Sequence, residues 1–268
     1  MPIFNRVVFD HTSDYYRFAG RAESRLDDVA NHAEAIQYRV ADRITSVIIA
    51  KRVFDIIVAS LALAVLFPIM VAIALAIKID SRGPVFFVQE RVGLNRRRRE
   101  RRRRQTHANI NVRLGSDRRK DLNPGRPFNI YKFRSMVCEA EVNGPALACD
   151  NDPRATRFGR LMRRMRVDEI PQFINVIKGD MSIIGPRPER SFFINQVKRD
   201  VPEFTMRLVV KPGITGLAQV EHGYTKSIDE MKRKLFFDLK YIVDLSPMLE
   251  IKILFKTVYV VITGKGAC

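Results

Sequence analysis

Two adjacent carboxylates, Asp168 and Glu169, are the residues of this chain best placed to do chemistry. The segment GPRPE, residues 185–189, follows soon after them, and its two prolines fix the backbone on both sides of Arg187. A guanidinium held in this way can bind phosphate oxygens through two N–H groups. Carboxylates close in sequence to a fixed arginine indicate phosphate chemistry, because cations must neutralise the charge of a transferring phosphoryl group.

A short helix is predicted immediately after the two carboxylates. Pro171 fits the first turn of such a helix, where its missing N–H is no loss, and Lys178 and Gly179 would close it. Asp168 is then expected at or just before the helix N-terminus. The helix is predicted from apolar residues at helical spacing, namely Ile170, Phe173, Ile174 and Ile177.

Two interpretations of this placement are open. In the functional one, Asp168 is a nucleophile that takes a phosphoryl group at a helix N-terminus, and Glu169 holds a divalent metal. In the structural one, Asp168 is an ordinary N-cap and Glu169 an ordinary first-turn acid. The N-cap preference is general, so the two residues by themselves favour the structural interpretation.

Basic side chains near these carboxylates in sequence are further candidates for the site. Arg163 stands five residues before Asp168, and Lys132 and Arg134 lie in the segment YKFRSM, residues 131–136. Each could bind a phosphate group or could be a solvated surface charge.

The order of the longer motifs resembles that of the bacterial sugar transferase family, whose members are monotopic phosphoglycosyl transferases acting on polyprenyl phosphates. The resemblance covers the chain from about Lys51 to its C-terminus. It rests on KRVFD at residue 51, a proline-interrupted apolar helix, FNIYKFRSM, RVDEIPQFINVIKGDMSIIGPRPE, KPGITGLAQV and FDLKYIVD.

The family resemblance implies a reaction and a cofactor. A nucleotide diphosphate sugar, usually a UDP-sugar, would give its sugar-1-phosphate to undecaprenyl phosphate, with release of UMP and a requirement for Mg²⁺. Asp168 would attack the phosphorus that bears the sugar, and the lipid phosphate would then displace Asp168. Glu169 would help to hold Mg²⁺. Such a step begins the membrane stage of exopolysaccharide, capsule or other glycoconjugate synthesis.

The resemblance also supports the other candidate site residues. Arg187 and Arg163 match arginines of the family's active site, and Lys132 or Arg134 would contact phosphate or uridine. Asp238, in the segment FFDLKYIVD, matches a recurrent acid of the family. A charge on a helix surface is the alternative for Asp238.

An apolar segment, residues 51–79, predicts a membrane helix. Between its flanking basic residues it is apolar except for Asp55, and it is long enough for a hydrocarbon core of about 30 Å. Basic residues flank both ends of the segment, which favours a cytoplasmic location for each end. Pro68 predicts a break that lets two arms enter and leave one leaflet, as the family's re-entrant helix does. A straight spanning anchor is the alternative, and Phe67 offers no hydroxyl to the carbonyls that the proline frees.

The chain is strongly basic, with a net charge of +18. This charge fits attraction to anionic lipids of the inner leaflet and to anionic substrates, and it fits nucleic acid equally well. The densest run, RRRRERRRR at 96–104, lies in residues 94–126, where compact family members have a short loop. The stretch is predicted to be an Arg-rich insertion: a disordered loop, a patch that binds anionic lipid, or a site for an acidic partner.

The motifs favour a UDP-sugar and undecaprenyl phosphate as partners, with no nucleic acid. A membrane-tethered, basic nucleic-acid-binding or scaffold protein is the alternative function, and it predicts no chemical role for Asp168. The three cysteines lack metal-ligand spacing, which fits free thiols in a reducing compartment. A homodimer is compatible with the resemblance.

The predicted organisation is an N-terminal cytoplasmic extension, residues 1–50, followed by a transferase domain, residues 51–268. A late helix, Met248–Thr263, is apolar on several faces but carries charges, so it is expected to lie in the membrane interface. The predicted fold is a mainly helical α/β domain, monotopic on the cytoplasmic face of the bacterial inner membrane. A proline-broken re-entrant helix and interfacial amphipathic helices would anchor it.

Overall fold

The computed structural model describes residues 49–95, 125–138, 140–142, 144–146, 152–221 and 228–263. All of them belong to one folded unit, which begins at Ile49. The predicted extension, 1–50, and the predicted insertion, 94–126, lie outside these ranges except for a few residues at their edges.

Helix α1, Ile49–Asp80, is long and apolar enough, by length and composition, to cross a membrane. The helix continues through Pro68, so the proline does not interrupt its secondary structure. The bend and the two re-entrant arms stay a prediction. A proline removes one N–H donor and crowds the preceding turn, which bends a helix without having to end it. The fully buried residues of α1 all lie toward its two ends: Asp55, Ala59, Ile73 and Ile77.

Both ends of α1 are attached to the rest of the domain. Near the first end, the buried Asp55 accepts hydrogen bonds from Ser182 Oγ and from the backbone N–H of Ile183, each at 3.0 Å. At the other end, Arg134 donates through Nη2 to the carbonyl oxygen of Ser81 at 2.7 Å. The apolar middle of the helix makes no comparable attachment and is largely exposed.

Strands β1, Phe86–Val92, and β2, Pro127–Phe133, form an antiparallel pair directly after α1. Their pairing continues one step further, because the backbone N–H of Gly93 donates to the carbonyl of Arg126 at 2.9 Å. The first and last residues of the predicted insertion, Leu94 and Arg126, are therefore neighbours at the end of this hairpin.

Helix α2, Arg157–Arg164, leads through a 3₁₀ turn, Val167–Glu169, into helix α3, Gln172–Lys178. The short helix predicted after the carboxylates is confirmed as α3. Pro171 stands immediately before it, and Gly179 ends it with a φ of 86°, a left-handed backbone that glycine adopts at little cost.

The rest of the domain is mainly helical, as the sequence predicts, with one more small sheet. Strands β3, Ser182–Ile184, and β4, Gly213–Thr215, pair in parallel. A Cβ atom at Gly213 would lie 2.1 Å from the backbone nitrogen of Gly185, so the close approach of the two segments requires glycine. The remaining elements are α4, Ser191–Asp200; a 3₁₀ helix, Pro202–Val209; α5, Leu217–Glu221; α6, Ile228–Val243; and α7, Pro247–Thr263.

Two of the hydrophobic clusters hold α1 against this domain. The larger one packs Ala59 against residues of α3, β3, α6 and α7. The other packs Ile73 and Ile77 against Phe133 of β2, Met162 of α2 and Ile170. The second cluster fixes the elements on both sides of the 3₁₀ turn, and that turn carries the two candidate carboxylates.

Candidate active site

Asp168 and Glu169 lie in the 3₁₀ turn and line an open cavity of ≈ 380 Å³. Arg166, just before the turn, has a φ of 56° and is the only non-glycine residue with positive φ in the part of the chain that the structure describes. L residues adopt this conformation at a cost, and such costs are often found at functional sites. Pro171, not Asp168, occupies the N-cap position of α3, so the N-cap interpretation of Asp168 is wrong.

Two basic side chains bind the carboxylate of Glu169. Arg187 approaches with Nη2 2.5 Å from Oε1 and Nη1 3.2 Å from Oε2, and Lys132 Nζ lies 2.8 Å from Oε1. Burial opposes ionisation of Glu169, but the charges and hydrogen bonds of Arg187 and Lys132 outweigh it and hold its pKa well below the usual value. Glu169 is therefore a carboxylate whose charge the protein already neutralises.

Asp168 differs from its neighbour, because its carboxylate accepts no hydrogen bond from the described residues. It is 8% exposed. Burial and the nearby Glu169 raise the pKa of Asp168 to about 6, although the positive charges of Lys132, Arg187 and Arg163 lower it. The site thus holds one neutralised carboxylate beside one that is more basic than an ordinary aspartate and is open to the cavity.

The other predicted basic residues also line the cavity, but their surroundings differ. Arg163 lies with Nη1 3.8 Å from Asp152 Oδ2. Arg134 is buried, and its guanidinium donates to the carbonyl groups of Ser81 and Arg82, each at 2.7 Å. In this arrangement Arg134 binds the end of α1, so its contacts are structural.

Asp238 lies behind the cavity and is not among the residues that line it. It is 2% exposed, so the alternative of a charge on a helix surface is wrong. Arg207 Nη2 lies 2.9 Å from Asp238 Oδ2 and 2.8 Å from the carbonyl oxygen of Arg187, to which it donates. Asp238 is therefore connected to the GPRPE loop indirectly, through the arginine that donates to the backbone of that loop.

Sequence reasoning missed several charged residues of the cavity, most notably Lys234 on α6. The sequence did indicate that Lys234 is on the buried face of α6, because Lys234 and Asp238 are one helical turn apart among the buried residues Met231, Leu235 and Ile242. Among the residues that the structure describes, the cavity is strongly basic, with nine basic residues and four acidic ones. The basic residues are Arg91, Lys132, Arg134, Arg154, Arg163, Arg166, Arg187, Arg190 and Lys234; the acidic ones are Glu141, Asp168, Glu169 and Glu189.

A metal ion held by protein side chains alone does not fit this site. The described residues contain no group of three histidine, cysteine or carboxylate side chains that could hold one. The pair Asp168 and Glu169 does fit Mg²⁺, which commonly takes one or two carboxylates from the protein and its other oxygens from substrate phosphates and water.

Comparison with known proteins identifies the family. The family model described as "Bacterial sugar transferase" matches residues 46–109 and 111–264. The chain belongs to this bacterial sugar transferase family. The match includes α1 and every element that lines the cavity.

Individual relatives support the assignment. The sugar transferase is 42% identical over 217 residues to a UDP-N-acetylgalactosamine-undecaprenyl-phosphate N-acetylgalactosaminephosphotransferase of Aeromonas hydrophila, a match that covers 81% of this chain and 44% of that protein. It is 37% identical over 219 residues to a UDP-glucose:undecaprenyl-phosphate glucose-1-phosphate transferase of Escherichia coli K12, covering 81% of this chain and 41% of that protein.

A relative of similar length is the exopolysaccharide production protein PSS of Rhizobium leguminosarum. The sugar transferase is 35% identical to it over 229 residues, which are 82% of this chain and 98% of that protein. By contrast, the chain spans less than half of the Aeromonas and Escherichia relatives.

Proposed function

We propose that this sugar transferase transfers sugar-1-phosphate from a nucleotide diphosphate sugar, a UDP-sugar, to undecaprenyl phosphate and releases UMP. The names of the Aeromonas and Escherichia relatives describe transfers to undecaprenyl phosphate from two different UDP-sugars. The basic cavity fits such substrates, because both of them are anionic.

Asp168 is the nucleophile in this proposal. Its carboxylate attacks the phosphorus that bears the sugar, the bond to the bridging oxygen breaks, and UMP leaves with the electron pair. An oxygen of the lipid phosphate then attacks the same phosphorus and releases Asp168. The observation that carries this assignment is the contrast between the two acids: Glu169 is bound by two cations, whereas Asp168 is unpaired among the described residues and faces the cavity.

The remaining residues stabilise charge. Arg187, Lys132 and Arg163 surround Asp168 with positive charge, which favours both the attacking carboxylate and the transferring phosphoryl group. Glu169 would hold Mg²⁺ together with substrate oxygens. A bound Mg²⁺ supplies further neutralisation of the phosphate oxygens. For Glu169 to bind the metal, Arg187 and Lys132 must shift from its oxygens toward the phosphates.

We also propose that α1 enters and leaves the membrane on the cytoplasmic side. Its attachment points at Asp55 and Ser81 belong to one domain. A straight helix would hold them about 39 Å apart, which exceeds a hydrocarbon core of about 30 Å and would put one attachment on each side of it. A course that returns to the face of entry avoids this. The exposed apolar side chains in the middle of α1, including Leu61, Val65 and Phe67, would then contact lipid.

The first test is UMP release by the purified protein with undecaprenyl phosphate and Mg²⁺ across a panel of UDP-sugars. Asp168→Asn, which is nearly isosteric, should abolish release while folding and membrane association persist. Asp244→Asn, at an exposed position, is the matched control and should keep the wild-type rate. Normal turnover by the Asp168 variant would exclude the covalent mechanism.

A further inference from the structure

Lys234 is a buried cation in the wall of the active-site cavity. It comes from α6, is 4% exposed, and lines the cavity together with Arg187 and Glu189. Its ammonium group makes no hydrogen bond to the described residues, and no carboxylate oxygen among them lies within 4.0 Å of it. A buried ammonium group is costly to leave without a partner, because it has lost its water.

The acids nearest to Lys234 are already engaged by other cations. Glu189 lies 3.6 Å from Arg91 and 3.8 Å from Arg207, and Asp238 lies 2.9 Å from Arg207. Burial lowers the pKa of Lys234, the charges of Arg187 and Arg207 lower it further, and Glu189 and Asp238 only partly compensate. Among the described residues, neither of these acids is left to pair with Lys234, so this part of the cavity is suited to a further anion.

We propose that Lys234 binds a phosphate group of a substrate, beside Arg187. The inference rests on the proposed function, and the phosphate has two sources there: the nucleotide donor and the lipid acceptor. The geometry favours the donor. Its two phosphates are linked, so when one lies at Asp168 the other needs a cation elsewhere in the cavity. Lys132 and Arg187 are shared with Glu169, whereas Lys234 has no partner to give up among the residues that the structure describes.

Binding without turnover tests the inference directly. The purified full-length protein is titrated by calorimetry with UDP and with inorganic pyrophosphate. Lys234→Met should bind both at least about tenfold more weakly, the cost of one hydrogen bond to a charged group, and Lys234→Arg should recover most of the loss. Lys240→Met, at an exposed position on the same helix, is the control. Lys234→Gln replaces Lys234→Met if the latter fails to fold.

Steady-state kinetics then identifies the phosphate. A raised KM for the UDP-sugar alone assigns Lys234 to the donor, and a raised KM for undecaprenyl phosphate alone assigns it to the acceptor. If folded Lys234→Met protein binds UDP and pyrophosphate with wild-type affinity, the inference about Lys234 is overturned. The proposed function stays intact in that case as long as the wild-type protein turns over a UDP-sugar. If Lys234→Met binds UDP and pyrophosphate more weakly but the wild-type protein turns over no UDP-sugar, the phosphate site is supported and the proposed function is not.

Discussion

Arg187 binds Glu169 through both of its terminal nitrogens, at 2.5 and 3.2 Å. The pair joins the GPRPE loop to the 3₁₀ turn, so the two motifs that sequence analysis singled out are in direct contact. A substrate phosphate must share or take over these N–H groups. We expect the carboxylate released in that exchange to become available to Mg²⁺, which would couple metal binding to donor binding.

Arg187→Ala should reduce kcat/KM by a factor on the order of 10² or more, because it removes a fixed cation from the transferring phosphoryl group. Arg187→Lys should recover little of the rate, since an ammonium group lacks the planar two-point geometry. Initial rates of UMP release measure both. Arg199→Ala, at an exposed position on α4, is the control. A wild-type rate for Arg187→Ala would leave Arg187 with a structural role only.

The fall of kcat/KM at low pH should follow the ionisation of Asp168. Its carboxyl must be ionised to attack, so kcat/KM should fall as the pH drops through about 6. Lys132 is the positive charge that lowers this pKa most. Removing that charge in Lys132→Met disfavours the ionised carboxylate and should move the fall in rate to higher pH, with Lys240→Met as control. A profile that is unmoved or shifted to lower pH would contradict the assignment.

Arg207 should be essential for stability. It is 3% exposed and lies between Asp238, Glu189 and the carbonyl of Arg187. Arg207→Met leaves the buried Asp238 without its cation and takes one of two cations from Glu189, so it should lower the free energy of unfolding by about 3 kcal/mol or more. Thermal unfolding in detergent, followed by circular dichroism, measures the loss of Tm against Arg199→Met. An unchanged Tm would show that the buried Asp238 is neutral without Arg207.

The course of α1 is testable by labelling single cysteines, after the native cysteines are replaced. Ala50→Cys and Ile79→Cys mark the exposed ends of the helix, and Phe67→Cys marks its exposed middle. A membrane-impermeant maleimide should reach both ends only after the cells are permeabilised, and the middle should stay protected by lipid. Labelling of either end in intact spheroplasts would establish a spanning helix.

Local sequence signals predicted α3 well, whereas Pro68 does not end α1. The apolar period and Gly179 both arise within one short segment, and the structure confirms the helix that they indicate. The rule that proline ends a helix is equally local, but the turns on both sides of Pro68 continue α1. A proline costs one hydrogen bond and some strain, which the remaining turns of a long helix outweigh.

Contacts between distant segments account for what sequence reasoning missed at the site. Lys132 and Arg134 look alike in the sequence, yet Lys132 binds Glu169 and Arg134 binds the end of α1. That difference depends on Ser81, 53 residues away. The roles of Asp238 and Lys234 likewise depend on Arg207 and on the shape of the cavity, which no local pattern encodes.

The hydrogen bonds of Asp55 bear on how the protein is made. Asp55 lies within the long apolar helix α1, and its partner Ile183 is synthesised 128 residues later. A nascent chain therefore offers the membrane a segment with an unsatisfied acid, which disfavours stable insertion. Once β3 has folded against α1, this acid is withdrawn from lipid. We therefore expect α1 to insert stably into the bilayer only after the catalytic domain has been translated and folded.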